Sequence, residues 1–345
     1  MHFFENLSYI AFNMDRRRFI KVGAGAIAIG AVSGSPVMRA AVIPTDRGTG
    51  NKPSAGHSVT GSDPEGYSSE AGKAGKEDLL VRFLGTGAAD WNGTDERGEL
   101  RRLSSILLDN RILIDFTPSD ADMLPKGFKA PAAIFYTHSH QDHYNAKAAI
   151  ETLEASVVYV SETWAERARN DFAAAASESG KAAPNVIGLA IGQKTQCGDI
   201  TVTALPGNHA TGDDNEQTLI YLIEKGSVRV LYATDTGGIP VRAARIVGID
   251  AHIRDGKPIT GLIMEATMGI GHDEDFRIYT HSSVGTVLRT AHVLLSTARL
   301  AAPEGQPVYL THMARTLHGT QAQLDAALPS PLRAAYDGLE VIFRR

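Results

Sequence analysis

His138, His140, Asp142 and His143 place four metal-competent side chains within six residues. Three imidazoles and a carboxylate this close make poor core material, because each needs a polar partner once buried. Neutral imidazole and carboxylate are good ligands for zinc-type ions. A solvated, His-rich loop is the plainer alternative. It accounts poorly for what precedes the motif: residues 132–136 are an apolar run that reads as a buried strand. At a strand end, residues i and i+2 point the same way, so His138 and His140 can grip one ion. Asp142 and His143 lie beyond, where the chain turns into a helix expected over 146–155, and can face a second ion. Ions about 3.5–4 Å apart that share a hydroxide nucleophile are the layout of a two-metal site.

Such a site needs further ligands from elsewhere in the chain. Three more expected strands end near one: 200–205 before His209, 228–232 before Asp235, and 308–310 before His312. One strand-end His is usually a satisfied polar residue; a series of such residues behind His-x-His-x-Asp-His is not coincidence. Other strands are expected at 79–84, 105–108, 111–114, 157–160, 217–223, 261–264 and 339–343, with helices at 163–177 and 282–299. Asp115 closes one strand and reads either as a carboxylate supporting the ligands or as a turn or helix cap. Strands and helices mixed in this order fit an α/β fold, a four-layer αβ/βα sandwich with sites at strand ends.

The motif and the strand-end series resemble the metallo-β-lactamase superfamily of hydrolases. The resemblance runs from Leu79 to the C-terminus and implies ligand roles: His138, His140 and His209 on one ion, Asp142, His143 and His312 on the other, Asp235 bridging. Asp142 counts among the catalytic residues as well as the ligands. Neither residue after His138 or His140 is acidic, unlike the Glu-containing motif of the oxygen-reducing diiron branch. Glu265-Ala266-Thr267 and His281-Ser282-Ser283 resemble segments of tRNase Z-like enzymes, where such a Glu and His form a proton-delivering pair. Taken singly, Glu265 also reads as a salt-bridged strand end and His281 as a residue beside a helix cap. The close, Thr311-His312 with His318 and then Asp337-Gly338, resembles the phosphoribosyl cyclic phosphate phosphodiesterase branch. His318 would be its phosphate contact, at a longer spacing than that branch leads one to expect.

The chain has 345 residues with 43% hydrophobic and 21% charged, ordinary for a globular protein, and a net charge of -5 that implies no attraction to nucleic acid. No Gly- and Lys-rich insertion like the tRNA-gripping arm of tRNase Z is visible. Cys197 is the single cysteine, so no intrachain disulfide forms. Residues 1–40 read as an export signal: Arg16-Arg17-Arg18-Phe19-Ile20-Lys21 precedes an apolar run over 22–32, too short to span a bilayer, and resembles a twin-arginine signal. Met14 is an alternative start, and cleavage near 40–41 is expected. Residues 41–77, rich in Gly, Ser and Pro, read as a linker, with His57 outside the ligand set. Residues 78–345 form the hydrolase domain.

The expected protein is an exported, periplasmic hydrolase holding two divalent ions, zinc first and manganese second. It acts by a metal-bridging hydroxide on a small phosphodiester, with no nucleic acid partner and no stable membrane span. A lactonase or other carboxylic-ester hydrolase is the alternative enzyme, and a non-catalytic metal-binding protein the alternative of another class. Oligomeric state, a dimer included, is left open.

Overall fold

β1 (Leu79–Gly85) alternates in burial along its first half, sending Leu79, Val81 and Phe83 to one face. The computed structural model describes residues 74–345. The export signal and most of the linker expected from the sequence lie outside them. After β1 come the short antiparallel pair β2 (Gly93–Thr94) and β3 (Leu100–Arg101), then β4 (Ser105–Leu108), β5 (Ile112–Ile114), β6 (Ala133–Phe135), α1 (Ala146–Thr152), β7 (Val157–Ser161), α2 (Ala165–Ser179) and β8 (Asn185–Leu189). The second half holds β9 (Lys194–Cys197), β10 (Ile200–Pro206), β11 (Leu219–Lys225), β12 (Val228–Ala233), α3 (Val241–Val247), β13 (Gly261–Glu265), α4 (Val284–Ser296), β14 (Val308–Thr311), α5 (Gln321–Ala327), β15 (Leu332–Ala334) and β16 (Glu340–Phe343).

Two seven-stranded sheets result, ordered β16-β1-β4-β5-β6-β7-β8 and β15-β14-β13-β12-β11-β10-β9. Each is antiparallel at one end and parallel at the other, the change falling at β5–β6 and at β12–β13. Crossover helices belong to the parallel ends, so helices cover only the outer faces. The layers follow from which faces are apolar. Phe83, Ile106, Phe135, Tyr221, Val230, Tyr309 and Phe343 meet between the sheets. Leu107, Ile134 and Val158 face the other way and pack under Ala168 and Phe172 of α2. Leu231, Met264 and Leu310 pack under α3 and α4 through Ala243, Val287 and Ala291. This is the four-layer sandwich expected from the sequence. The β4–β5 hairpin turns on Asp109 and Asn110, both at positive φ (46° and 51°), with Arg111 N–H donating to Leu108 O, a type I′ turn. No helix among the described residues is long and apolar enough to cross a membrane.

Several elements escape a reading of periodicity: β8, β9, α3, α5 and β15. They are short, and their burial depends on neighbours distant in sequence. The expected helix at 282–299 is α4, which starts two residues later because the Ser283 hydroxyl caps it by accepting from Thr286 N–H.

Candidate metal centre

β6 stops at Phe135, so His138 and His140 do not sit on a strand, and their convergence does not come from strand alternation. The segment after β6 instead folds into a turn in which His143 and Tyr144 N–H both donate to His140 O (3.0 and 2.8 Å). Asn145 then caps α1 by accepting from Ala148 N–H. Behind the turn, Tyr144 packs edge-on against Tyr136 and Trp164 at 4.9 and 5.0 Å between ring centroids, which anchors it to sheet and α2. His209 lies in the loop between β10 and β11, Asp235 two residues past β12, and His312 immediately after β14.

Asp115, Asp235 and His312 all have positive φ (60°, 44° and 52°). Non-glycine residues rarely adopt this conformation, and it turns each side chain out of its strand's path. Asp115 follows β5 of the first sheet, and Asp235 and His312 follow β12 and β14 of the second, each strand having a parallel neighbour whose C-terminal end borders the site.

Three ring nitrogens meet in the first group: His138 Nε2 is 3.0 Å from His140 Nδ1, which is 3.2 Å from His209 Nε2. Edges of that order suit a tetrahedral ion with metal–nitrogen bonds of about 2.0–2.1 Å. In the second group Asp142 Oδ2 is 3.4 Å from His143 Nε2 and 3.5 Å from His312 Nε2. Asp235 lies between them. Its Oδ2 is 2.8 Å from His143 Nε2 and 3.1 Å from His312 Nε2, while its Oδ1 faces His209 Nε2 at 3.8 Å. All seven side chains named from the sequence are thus brought together around Asp235, which also groups with His138 and His143 and with His209 and His281.

The opposite ring nitrogens are held by oxygen. His143 Nδ1 is 2.8 Å from Asp115, whose carboxylate also accepts from Thr137 N–H and hydroxyl. His312 Nδ1 is 2.8 Å from Thr267 Oγ1, His138 Nδ1 is 3.0 Å from Thr137 Oγ1, and His209 Nδ1 is 3.2 Å from Thr280 O. Such contacts fix which nitrogen faces inward. Asp115 therefore supports a ligand rather than capping a helix. Thr137, Thr267 and Thr280 were not anticipated; a hydroxyl beside a ligand in sequence was the available signal for Thr137.

The donor set fits divalent cations. His143 Nε2 is buried without a hydrogen-bond partner even though Asp235 Oδ2 is 2.8 Å away, because the two atoms do not align as donor and acceptor. Burial works strongly against a charged His143, yet Asp235, Asp142 and Asp115 outweigh it and hold its pKa well above the ordinary range. Burial likewise favours neutral Asp235, and His312 and His143 overcome it, holding the carboxylate well below its usual range. Clustered carboxylates demand positive charge at this spot, which a proton supplies in the free site and a metal ion would displace. His138 is driven the other way, chiefly by burial and then by charge on His143, and stays neutral as a ligand must.

His281 and Glu265 adjoin this centre. His281 Nδ1 is 3.2 Å from both Glu265 oxygens and 3.6 Å from Asp235 Oδ1. Glu265 is fully buried and accepts from Thr236 N–H at 2.6 Å and from Thr267 N–H and hydroxyl. Gly237 allows the His281 loop to press close: a Cβ there would lie 2.5 Å from the Tyr279 backbone. Burial opposes the charged ring, but the Glu265 charge and hydrogen bond, with Asp235, raise His281 to about 9. His318 does not join either donor group. It is buried with Nε2 on Ala266 O at 2.6 Å, and burial pushes it down to about 4. The neutral ring holds the backbone just past β13 through this carbonyl.

The beta-lactamase superfamily domain matches residues 110–313, more than half of the chain. The chain belongs to the beta-lactamase superfamily. Among solved structures, this superfamily domain is similar to the metallo-beta-lactamase fold protein YhfI from Bacillus subtilis (17% identity, TM-score 0.56, 77% of this chain and 100% of that one). It is also similar to human tRNase Z, short form (16%, TM-score 0.54, 77% and 100%), and to a diphosphatase from the PhnP family (19%, TM-score 0.51, 77% and 98%). These likenesses establish the metallo-beta-lactamase fold. No curated protein matches the chain.

Proposed function

We propose that this superfamily member is a phosphodiesterase that uses two divalent ions, zinc first and manganese second, and is exported by the twin-arginine route. The observation that carries the reading is the division of seven donors into two groups meeting at Asp235, with the His281–Glu265 pair beside them. When bound, such ions supply Lewis acidity: they polarise a phosphoryl oxygen and acidify water to a pKa of about 7. His138, His140 and His209 would hold one, and Asp142, His143 and His312 the other. Asp235 offers one oxygen to each group and so fixes their relative position.

The remaining chemistry belongs to the chain. His281 donates a proton to the leaving oxygen, with Nδ1 turned to Glu265 and Nε2 left for the substrate. Glu265 holds the ring's orientation and favours its charged form. It does not reach the substrate itself, being fully buried with its oxygens tied to Thr236 and Thr267. A donor that stays protonated at neutral pH suits an alkoxide leaving group, as a phosphodiester provides. The relatives named for diphosphatase and tRNase Z activity share the fold and make phosphate esters the class to test first. Arg16-Arg17 before a short apolar run supports export.

The deciding assay is turnover of bis-p-nitrophenyl phosphate by metal-loaded protein, beside an aryl ester and a lactone panel. Turnover of the phosphodiester supports the reading. Hydrolysis of lactone or aryl ester with none of the phosphodiester would replace it by the carboxylic-ester alternative, and no turnover of any by the metal-binding one.

A further inference from the structure

We propose that Glu216 is a positioning residue: it staples together the two segments that carry His138, His140 and His209, and thereby sets how tightly that group holds its ion. The inference rests on the two-ion reading above. The loop over 207–218 carries His209 near its start and Glu216 near its end, and Gly207 N–H closes its base on Thr218 O at 2.8 Å. The Glu216 carboxylate is buried. It accepts from Ser139 N–H at 2.8 Å and from the Ser139 hydroxyl at 2.6 Å. Ser139 is the residue between His138 and His140. Gripping both its backbone and its side chain fixes the peptide from which both ligands project.

Three successive contacts tie these segments across the two sheets. Tyr221 hydroxyl donates to Tyr136 O at 2.6 Å, Leu219 N–H to Thr137 O at 2.8 Å, and Ser139 to Glu216. The first two lie toward the core and the third stands at the site. A buried carboxylate is costly unless paired. Arg167 of α2 supplies the pairing at 2.7 Å and lies over the Trp164 ring at 5.4 Å. The other group is held by different residues, Asp115 behind His143 and Thr267 behind His312. Loss of Glu216 should therefore weaken one group and spare the other.

The test is competition for zinc between full-length protein, stripped of metal and reloaded, and a chromogenic chelator. Wild type should show two binding steps. Glu216→Ala should weaken one of them about 10–100-fold, the usual cost of losing a group that orients ligands, and leave the other in place. Glu216→Gln should lose less, since it keeps an acceptor for Ser139 N–H. The weakened step is assigned by background: Glu216→Ala should weaken the one step remaining in His143→Ala, and leave unmoved the one remaining in His209→Ala. Should Glu216→Ala fail to fold, Ser139→Ala decides, because it keeps the Arg167–Glu216 pair. Equal weakening of both steps, or no change in Glu216→Ala or its Ser139→Ala substitute, overturns the proposal. A folded wild type that takes up no zinc would instead sink the two-ion reading itself.

Discussion

Removing the Glu265 charge should move the alkaline limb of activity while leaving both ions in place. With His281 at about 9, roughly 99% of the ring is protonated at pH 7. Glu265→Gln keeps the burial, which lowers the pKa, and removes the nearer of the two carboxylates that raise it, leaving Asp235. The ring then falls toward the ordinary imidazole value of about 6.5, at which about a quarter would remain protonated at pH 7. The direction follows from the role. A required acid supports turnover below its pKa and loses it as pH rises through that value. For an alkyl phosphodiester, kcat at pH 7 should drop by up to about fourfold, and the limb should shift down by up to about two pH units. Bound dications lower both limbs, since they disfavour imidazolium, and the difference between variants persists. His281→Ala removes the donor altogether and should lower kcat by about 10²–10⁴. Loss should shrink for a p-nitrophenyl ester, whose leaving group needs little protonation. The measurements are kcat against pH for both esters, with metal content by elemental analysis on the same samples. An unmoved limb in Glu265→Gln refutes the pairing. A missing ion in His281→Ala makes His281 a ligand. Equal loss on both esters with ions intact makes it a phosphate-positioning group.

Purified, zinc-supplemented protein should carry close to two ions per chain, and His143→Ala should retain one by elemental analysis. Asp115→Asn should keep the positive-φ turn, which Asn tolerates, yet cost about 10–100-fold in the affinity of the His143 group, read by chelator competition. Changing Arg16 and Arg17 to Lys should leave precursor in the cytoplasm, seen by fractionation; Arg18 makes the triple change the stricter test.

The layers and most strands were legible because burial imposes a period. β1 and β10 show apolar positions where the sandwich needs them, and β6 is apolar throughout because both faces are covered. The short elements were not legible. β8 and β9 owe their place to β7 and β10 alongside, which supply their hydrogen bonds. The supports of the site were harder still. Glu216 stands 77 residues from Ser139, and Thr267 stands 45 from His312. No local pattern marks a hydrogen bond across such a separation.

The sequence alone picked out the candidate donors, because three imidazoles and a carboxylate within six residues suit the holding of a cation better than a packed core. It also determined that later donors would follow strands, since strand ends are where a sandwich of this kind exposes polar groups. Tertiary structure decided how the donors divide. His138 and His140 converge through a turn that accepts two N–H groups on one carbonyl, not through strand alternation. Asp235 lies between both groups because its place just past β12 sets one carboxylate oxygen toward His143 and His312 and the other toward His209. His281 gains a proton because it packs on Glu265, and His318 loses one because burial outweighs the carbonyl it meets. The same residue type takes opposite charge states there, since ionisation depends on the surroundings that only folding assembles.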